Sequence, residues 1–185
     1  MTDAAKPFIP LNIAVLTVSD TRTPADDRSG DTLAGRIEAA GHHLAARAIV
    51  PDDVEAIRTL VSAWIGDAGI DVVVTTGGTG FTGRDVTPEA IEPLFEKRME
   101  GFSTVFHLVS FGKIGTSTLQ SRATAGVANA TYIFCLPGSP GACRDGWDEI
   151  LVHQLDIRHR PCNFVEILPR LDEHLRREKA KGATA

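Results

Sequence analysis

Asp52 and Asp85 are the carboxylates of this chain best placed to do chemistry. Asp52 follows Pro51 at the end of the apolar run "LAARAIV" (44–50), and Asp85 lies within "TTGGTGFTGRDVTPEA" (75–90), directly after Val72-Val73-Val74. The second segment begins with three glycines and three threonines in six residues, a composition that no hydrophobic core can use. Gly77, Gly78 and Gly80 permit positive φ and carry no Cβ, so successive N–H groups can form an anion-binding concavity that a ligand approaches closely. The hydroxyls of Thr76 and Thr79 add hydrogen bonds. On this reading, replacing Gly78 weakens ligand binding more than stability. A carboxylate beside such a concavity repels a phosphate unless a cation bridges them, and two carboxylates plus phosphate oxygens suit Mg²⁺. A plainer reading stands beside this one. The glycines then make a tight strand-to-helix turn, Asp52 caps a helix starting at Val54, and Thr87 caps the next with Pro88 in its first turn. No GK[ST] follows, which excludes a P-loop, and the glycine spacing at a third strand excludes a dinucleotide fingerprint.

The elements that must position these residues alternate. Residues 12–18 and 44–50 and the run 70–76 read as strands. A helix capped by Ser29 runs to about Ala40 and stops at Gly41, and another carries Val54, Ile57, Val61 and Ile65 on one stripe. Helices are predicted over 88–98 and 102–111, the latter with Phe102, Val105, Phe106 and Val109 on one face; 115–121 shows only a faint helical pattern. Residues 123–138 read as a hairpin turning at Asn129-Ala130, and a last helix spans 141–157. This order predicts a single three-layer α/β domain over 8–172, with a mostly parallel sheet, an antiparallel hairpin strand, and loose termini at 1–7 and 173–185. In such sheets ligands gather beyond the carboxyl ends of the strands. Four segments of unusual composition fall there: 19–30, 51–53, 75–90 and 137–142. The last places Gly138 and Ser139 before a helix start, where free N–H groups favour an anion, and where Ser139 serves as a cap, a ligand contact or both.

Composition narrows the function classes. The chain has 185 residues, 43% of them hydrophobic, enough for one proper core. A net charge of −5 without a dense basic stripe gives nonspecific binding to a nucleic-acid polymer little support. No apolar run approaches the ~18–20 residues of a membrane span, and the start lacks the features of a secretory signal. Cys135, Cys143 and Cys162 form no CxxC pair, so structural zinc and a disulfide framework are disfavoured, the thiols are expected to be buried or inert, and a cytoplasmic location fits.

Read in order, "LTVSDTR", "SGDTL", "TTGGTGFTGRDVTPEAI", "GTSTLQSRATAGV" and "LPGSPGACRDGW" resemble the molybdenum cofactor biosynthesis family of MoaB and MogA type. "GTSTLQSRA" and "RPCNF" look closer to the MoaB branch. The resemblance implies a molybdopterin-binding fold assembled as a homotrimer or homohexamer. It also implies transfer of an adenylyl group from ATP to molybdopterin with Mg²⁺, releasing pyrophosphate. The acidic residues of the adenylyltransferase branch fall on Asp52 and Asp85, which become the catalytic and metal-holding pair. The implied substrate contacts are Ser19, Asp20, Thr76, Gly77, Gly78, Thr79, Gly80, Arg84, Ser121, Arg122, Gly138 and Ser139, with Arg22, Arg84 and Arg122 as charge-compensating candidates. The chain departs from the MogA pattern at Phe81-Thr82, where that branch commonly has proline. Two alternatives stand beside this: a noncatalytic molybdopterin carrier or scaffold using the same pocket, and a hydrolase of another nucleotide, which needs a positioned water.

Overall fold

Strand β1 (Asn12–Val18) is buried on both faces, as a strand between two helical layers is. The computed structural model describes residues 2–3 and 5–174; the polar run 178–185, expected to be a loose tail, lies outside them. Beside β1 lie β2 (His43–Val50), β3 (Val72–Thr76), β4 (Lys97–Arg98), β5 (Thr124–Ala128) and β6 (Thr131–Leu136), in the sheet order β2-β1-β3-β6-β5-β4. The first four of that order are parallel, whereas β5 runs antiparallel to β6 and β4 antiparallel to β5. This is the mixed α/β fold that the element order predicts.

Because side chains alternate along a strand, the central strands feed two cores. Ile13, Val15, Val72, Val74 and Phe134 pack with α1 (Arg28–Ala39), α4 (Glu100–Ile114) and α5 (Pro140–Gly146). Ala14, Leu16, Val73, Ile133 and Cys135 pack with α2 (Val54–Ile65) and α3 (Thr87–Ile91) on the opposite face. Among the described residues no helix is long and apolar enough to cross a membrane.

Several boundaries differ from expectation. Asp27, not Ser29, caps α1, its Oδ1 accepting from Gly30 N–H at 2.9 Å; Ser29 sits in the first turn and donates to Gly138 O. The predicted 88–98 helix ends at Ile91, tightens into a 3₁₀ turn over Glu92–Leu94 and then pairs Lys97–Arg98 with β5. Pro93 is the cause, since it brings no N–H and disfavours helix at the residue before it. Helix α4 is longer than predicted and buries Phe102, Phe106 and Ser110, while Val105 is exposed and Val109 only half-buried. Residues Gly115–Gln120 form a 3₁₀ helix. The hairpin turns at Asn129 and Ala130 with φ of 45° and 64°. The predicted 141–157 helix is interrupted after Gly146 by a π-helical stretch, Trp147–Leu151, before the last turn α6 (Val152–Gln154). A short α7 (Phe164–Ile167), which the sequence pattern does not predict, follows and is capped by Asn163.

Candidate active site

The chain leaves β1 toward β2 on one side, and β3 joins on the other, so the strand order switches direction between β1 and β3. A crevice opens beyond the carboxyl ends of such a pair. Thr76 closes β3, its Oγ1 donating to Pro137 O at 2.9 Å. The backbone then turns through Gly77 (φ 103°) and Gly78 (φ 62°). A Cβ on Gly77 would lie 2.2 Å from Val18 O; one on Gly78 would lie 2.4 Å from Thr87 Oγ1 and 2.9 Å from Asp52 Oδ1. The space these glycines leave is therefore taken largely by the protein, as the tight-turn reading requires. Gly77 N–H is used by Leu136 O at 3.1 Å. Among the described residues, the N–H groups of Gly78 and Thr79 donate to no protein acceptor, although Thr79 is buried. Thr87 does not cap α3 with its side chain: Oγ1 donates to Gly77 O at 2.8 Å and N–H to Gly78 O at 2.9 Å, fastening the loop to the helix start.

Asp53, not Asp52, caps α2, accepting from Ala56 N–H at 2.8 Å. The Asp52 carboxylate, not used as a cap, lies beside Gly78. Asp52 and Asp20 exchange hydrogen bonds, each backbone N–H donating to the other's carboxylate at 3.1 Å. Arg84 grips Asp20 with Nε and Nη2 at 2.9 and 2.8 Å. Burial pushes the Asp52 carboxyl above its ordinary value, and the charges of Asp20 and Asp85 push the same way against the Asp20 amide and Arg84. Asp85 moves the other way. Burial raises it, but the hydroxyl and amide of Thr82, the Gly80 amide and the Arg122 charge together hold it below the ordinary value. Thr82 donates to Asp85 Oδ2 through its amide at 2.8 Å and its hydroxyl at 2.6 Å. Among the described residues no three His, Cys, Asp or Glu side chains gather as a metal cage. A Mg²⁺ at Asp52 and Asp85 would thus be completed by phosphate oxygens and water, the usual habit of that ion.

Two clefts flank this centre. One, about 580 Å³, is bordered by Glu89, Ser103, His107, Ser121 and Arg122; the other, about 610 Å³, by Ser19, Asp20, Arg22, Arg47 and Pro51. Ser121 Oγ is buried and has no hydrogen-bond partner among the described residues. Ser19 Oγ accepts the amides of Thr21 and Arg22, both at 3.2 Å, and so shapes its own turn. Ser139 caps α5, accepting from Ala142 N–H at 3.1 Å, and Gly138 lies against the backbone of Gly77. Three further residues matter here that sequence reasoning does not pick out. Thr82 steadies Asp85, and Glu89 pairs with Arg122. Asp27, only 1% exposed, joins Thr17, Gly30 and Arg47 behind the crevice. An aspartate three residues before a glycine amide at a helix start was the available signal for Asp27. Burial pushes the Cys135 and Cys143 thiols up to about 12 and about 11, while Cys162 is exposed.

Residues 14–157 match a family model described as a probable molybdopterin binding domain. The chain is 54% identical to the molybdenum cofactor biosynthesis protein B of Escherichia coli (strain K12) over 164 residues, which cover 89% of this chain and 96% of the relative. A crystal structure of a molybdenum cofactor biosynthesis protein B is similar at 38% identity and a TM-score of 0.79, covering 81% of this chain and 94% of that one. The tungsten cofactor synthesizing protein MoaB from Pyrococcus furiosus is similar at 38% identity and a TM-score of 0.67, covering 77% and 91%.

Proposed function

The chain belongs to the molybdenum cofactor biosynthesis family of molybdopterin-binding domains, and from that membership we propose that it adenylylates molybdopterin with MgATP. A phosphate oxygen of molybdopterin attacks the α-phosphorus of ATP. The new P–O bond forms as the bond to the β-phosphate breaks, and pyrophosphate leaves with the electron pair. Such transfer depends on positioning and charge stabilisation, with no covalent protein nucleophile. The free amides of Gly78 and Thr79 hold a phosphate, and the two flanking clefts take one substrate each. Asp52 and Asp85 would hold Mg²⁺, whose charge would offset that of the phosphates.

The observation that carries this reading is Asp52: a half-buried carboxylate that caps no helix and sits close enough to Asp20 and Asp85 to feel both charges. A carrier gains nothing from assembling carboxylates beside phosphate-binding amides, whereas a Mg²⁺-dependent transferase needs them. We extend the proposal to assembly. Leu108, Phe111 and Ile114 of α4 and Leu119 just after it are 69%, 57%, 55% and 71% exposed, an apolar face suited to a second copy in a homotrimer or homohexamer. The free thiols fit a reducing compartment such as the cytoplasm.

The test is incubation with purified molybdopterin and MgATP, with and without chelator, while pyrophosphate and adenylylated pterin are measured. Asp85→Asn should cut turnover by roughly 10²–10³-fold, the scale of losing one transition-state electrostatic contact. Fold and pterin binding should survive. Undiminished transfer by folded Asp85→Asn protein would refute the assignment.

A further inference from the structure

All three guanidinium nitrogens of Arg122 are engaged by the segment that carries Asp85. Nε donates to Gly80 O at 2.8 Å, Nη2 donates to Asp85 O at 2.9 Å, and Nη1 pairs with Glu89. The backbone N–H of the same residue donates to Thr79 O at 2.9 Å. Four acceptors spread over residues 79–89 thus converge on one residue outside the segment. Phe81, otherwise 71% exposed, has its ring centroid 5.5 Å from the guanidinium carbon. Arg122 is itself held. It stands just before β5, and the preceding carbonyl, Ser121 O, is 3.1 Å from His107 Nε2 on α4.

The segment's own bonds are local. Thr82 and Asp85 bond to each other, which closes the turn but does not tie it to the sheet, so both bonds open more readily once the turn is released. Thr87 ties down the far end at Gly77 and Gly78. Among the described residues, the other bonds that tie the segment to the body of the fold are those of Arg122, the grip of Arg84 on Asp20 and, at Glu89 O, a longer bond of 3.3 Å from Arg58 Nη2 on α2. Arg84 is itself part of the turn and mostly exposed, so it is the weaker tie.

We infer that Arg122 is a positioning residue: it clamps the segment 79–89 through a planar fork of donors and so sets where the Asp85 carboxylate stands, instead of binding a substrate phosphate. The kinetic part of this inference rests on the adenylyl-transfer reading; the structural part does not. A lysine, with a point charge and no fork, reaches one acceptor at a time and replaces the clamp only partly.

Two measurements on wild type, Arg122→Lys and Arg122→Ala test it: amide hydrogen exchange at Thr82 and Asp85, and turnover against Mg²⁺ concentration. In Arg122→Ala the two amides should exchange about tenfold faster or more while β3 keeps its protection, as expected when a tie worth roughly one to two hydrogen bonds is lost. The Mg²⁺ concentration for half-maximal turnover should rise by a similar factor of about ten, with molybdopterin binding changed less than about twofold. Arg122→Lys should fall between the two, and added guanidinium ion should recover part of the Arg122→Ala loss. Unchanged exchange overturns the clamp, and so does a loss of pterin or ATP affinity with an unaltered Mg²⁺ requirement. If the wild type shows no adenylyl transfer, the function reading falls while exchange alone still decides the clamp. If Arg122→Ala fails to fold, the same exchange measurement on Arg122→Lys and Glu89→Gln decides it: faster exchange at Thr82 and Asp85 supports the clamp, and wild-type rates in both overturn it.

Discussion

Gly77→Ala should destabilise the protein sharply, whereas Gly83→Ala, in the same loop, should not. Gly77 adopts φ of 103°, where an L side chain is strained by about 1–3 kcal/mol. Its added Cβ would sit 2.2 Å from Val18 O, more than 1 Å inside the ~3.5 Å of an ordinary contact. That oxygen belongs to β1, the strand between β2 and β3, and cannot swing away as a side-chain tip could. Forcing a methyl into a packed site adds about 1–3 kcal/mol. The two contributions give about 4 kcal/mol, near the middle of their combined range, out of the ~5–15 kcal/mol that stabilises a typical native state. For a chain of this size, about 2–4 °C per kcal/mol puts the fall in Tm near 8–16 °C. At Gly83 a Cβ would meet nothing within 4 Å, so the change should stay within about 0.5 kcal/mol. Thermal melts followed by circular dichroism, with urea titrations alongside, read both variants. A Gly77→Ala protein melting within about 2 °C of wild type, on the same scale, would show that the turn yields freely and that Val18 does not dictate the glycine. Gly78, at φ 62° with Thr87 Oγ1 and Asp52 Oδ1 in the way, should follow Gly77. That reverses the sequence-based expectation that its replacement harms binding more than stability.

Asp52→Asn should lose turnover yet melt higher than wild type at neutral pH. Asp52 is raised above 3.8 in the fold, so the stability linked to it is present below 3.8 and is lost as pH rises through the folded value. The melting advantage of the variant should therefore shrink as pH falls toward 3.8, and a variant less stable than wild type at pH 7 would contradict the electrostatic account. In the wild type, turnover should decline on acidification as Asp52 protonates first, while Asp85, held below the ordinary value, stays ionised to lower pH; a profile unchanged by Asp52→Asn in a still-active protein would argue against this order. Leu108→Glu should split the assembly before it harms the fold, since both residues are accommodated on an exposed helix face; light scattering that shows wild type as a single chain at micromolar concentration would sink the oligomer reading.

The sheet was readable because its central strands announce themselves locally. β1, β3 and β6 are short apolar runs, and the helices between them carry three- and four-residue spacings that only one secondary structure uses. β4 was not readable. Lys97 and Arg98 have no strand character of their own, and they pair because β5 presents an edge. The orientation of α4 failed for a different reason. Apolar residues occupy both its faces, so periodicity shows a helix without saying which stripe turns inward. The structure chooses Phe102 and Phe106, and the leftover apolar residues become the exposed face now proposed for assembly.

At the site, a single step along the chain separated what sequence could and could not decide. Asp52 and Asp53 are adjacent, both acidic and both suited to cap α2; only the backbone path makes Asp53 the cap and leaves Asp52 beside Gly78. The residues near Asp85 were visible for their composition, but the contacts that organise them join distant parts of the chain: Asp20 with Asp52, Arg84 with Asp20, Arg122 with Gly80 and Asp85. Those contacts give the two carboxylates opposite environments. Asp85 is satisfied by Thr82 within its own turn, whereas Asp52 is half-buried among like charges that its partners only partly offset. An arrangement retained for folding alone would gain by neutralising Asp52. A carboxylate so placed beside free backbone amides is what a cation-dependent adenylyl transfer would require.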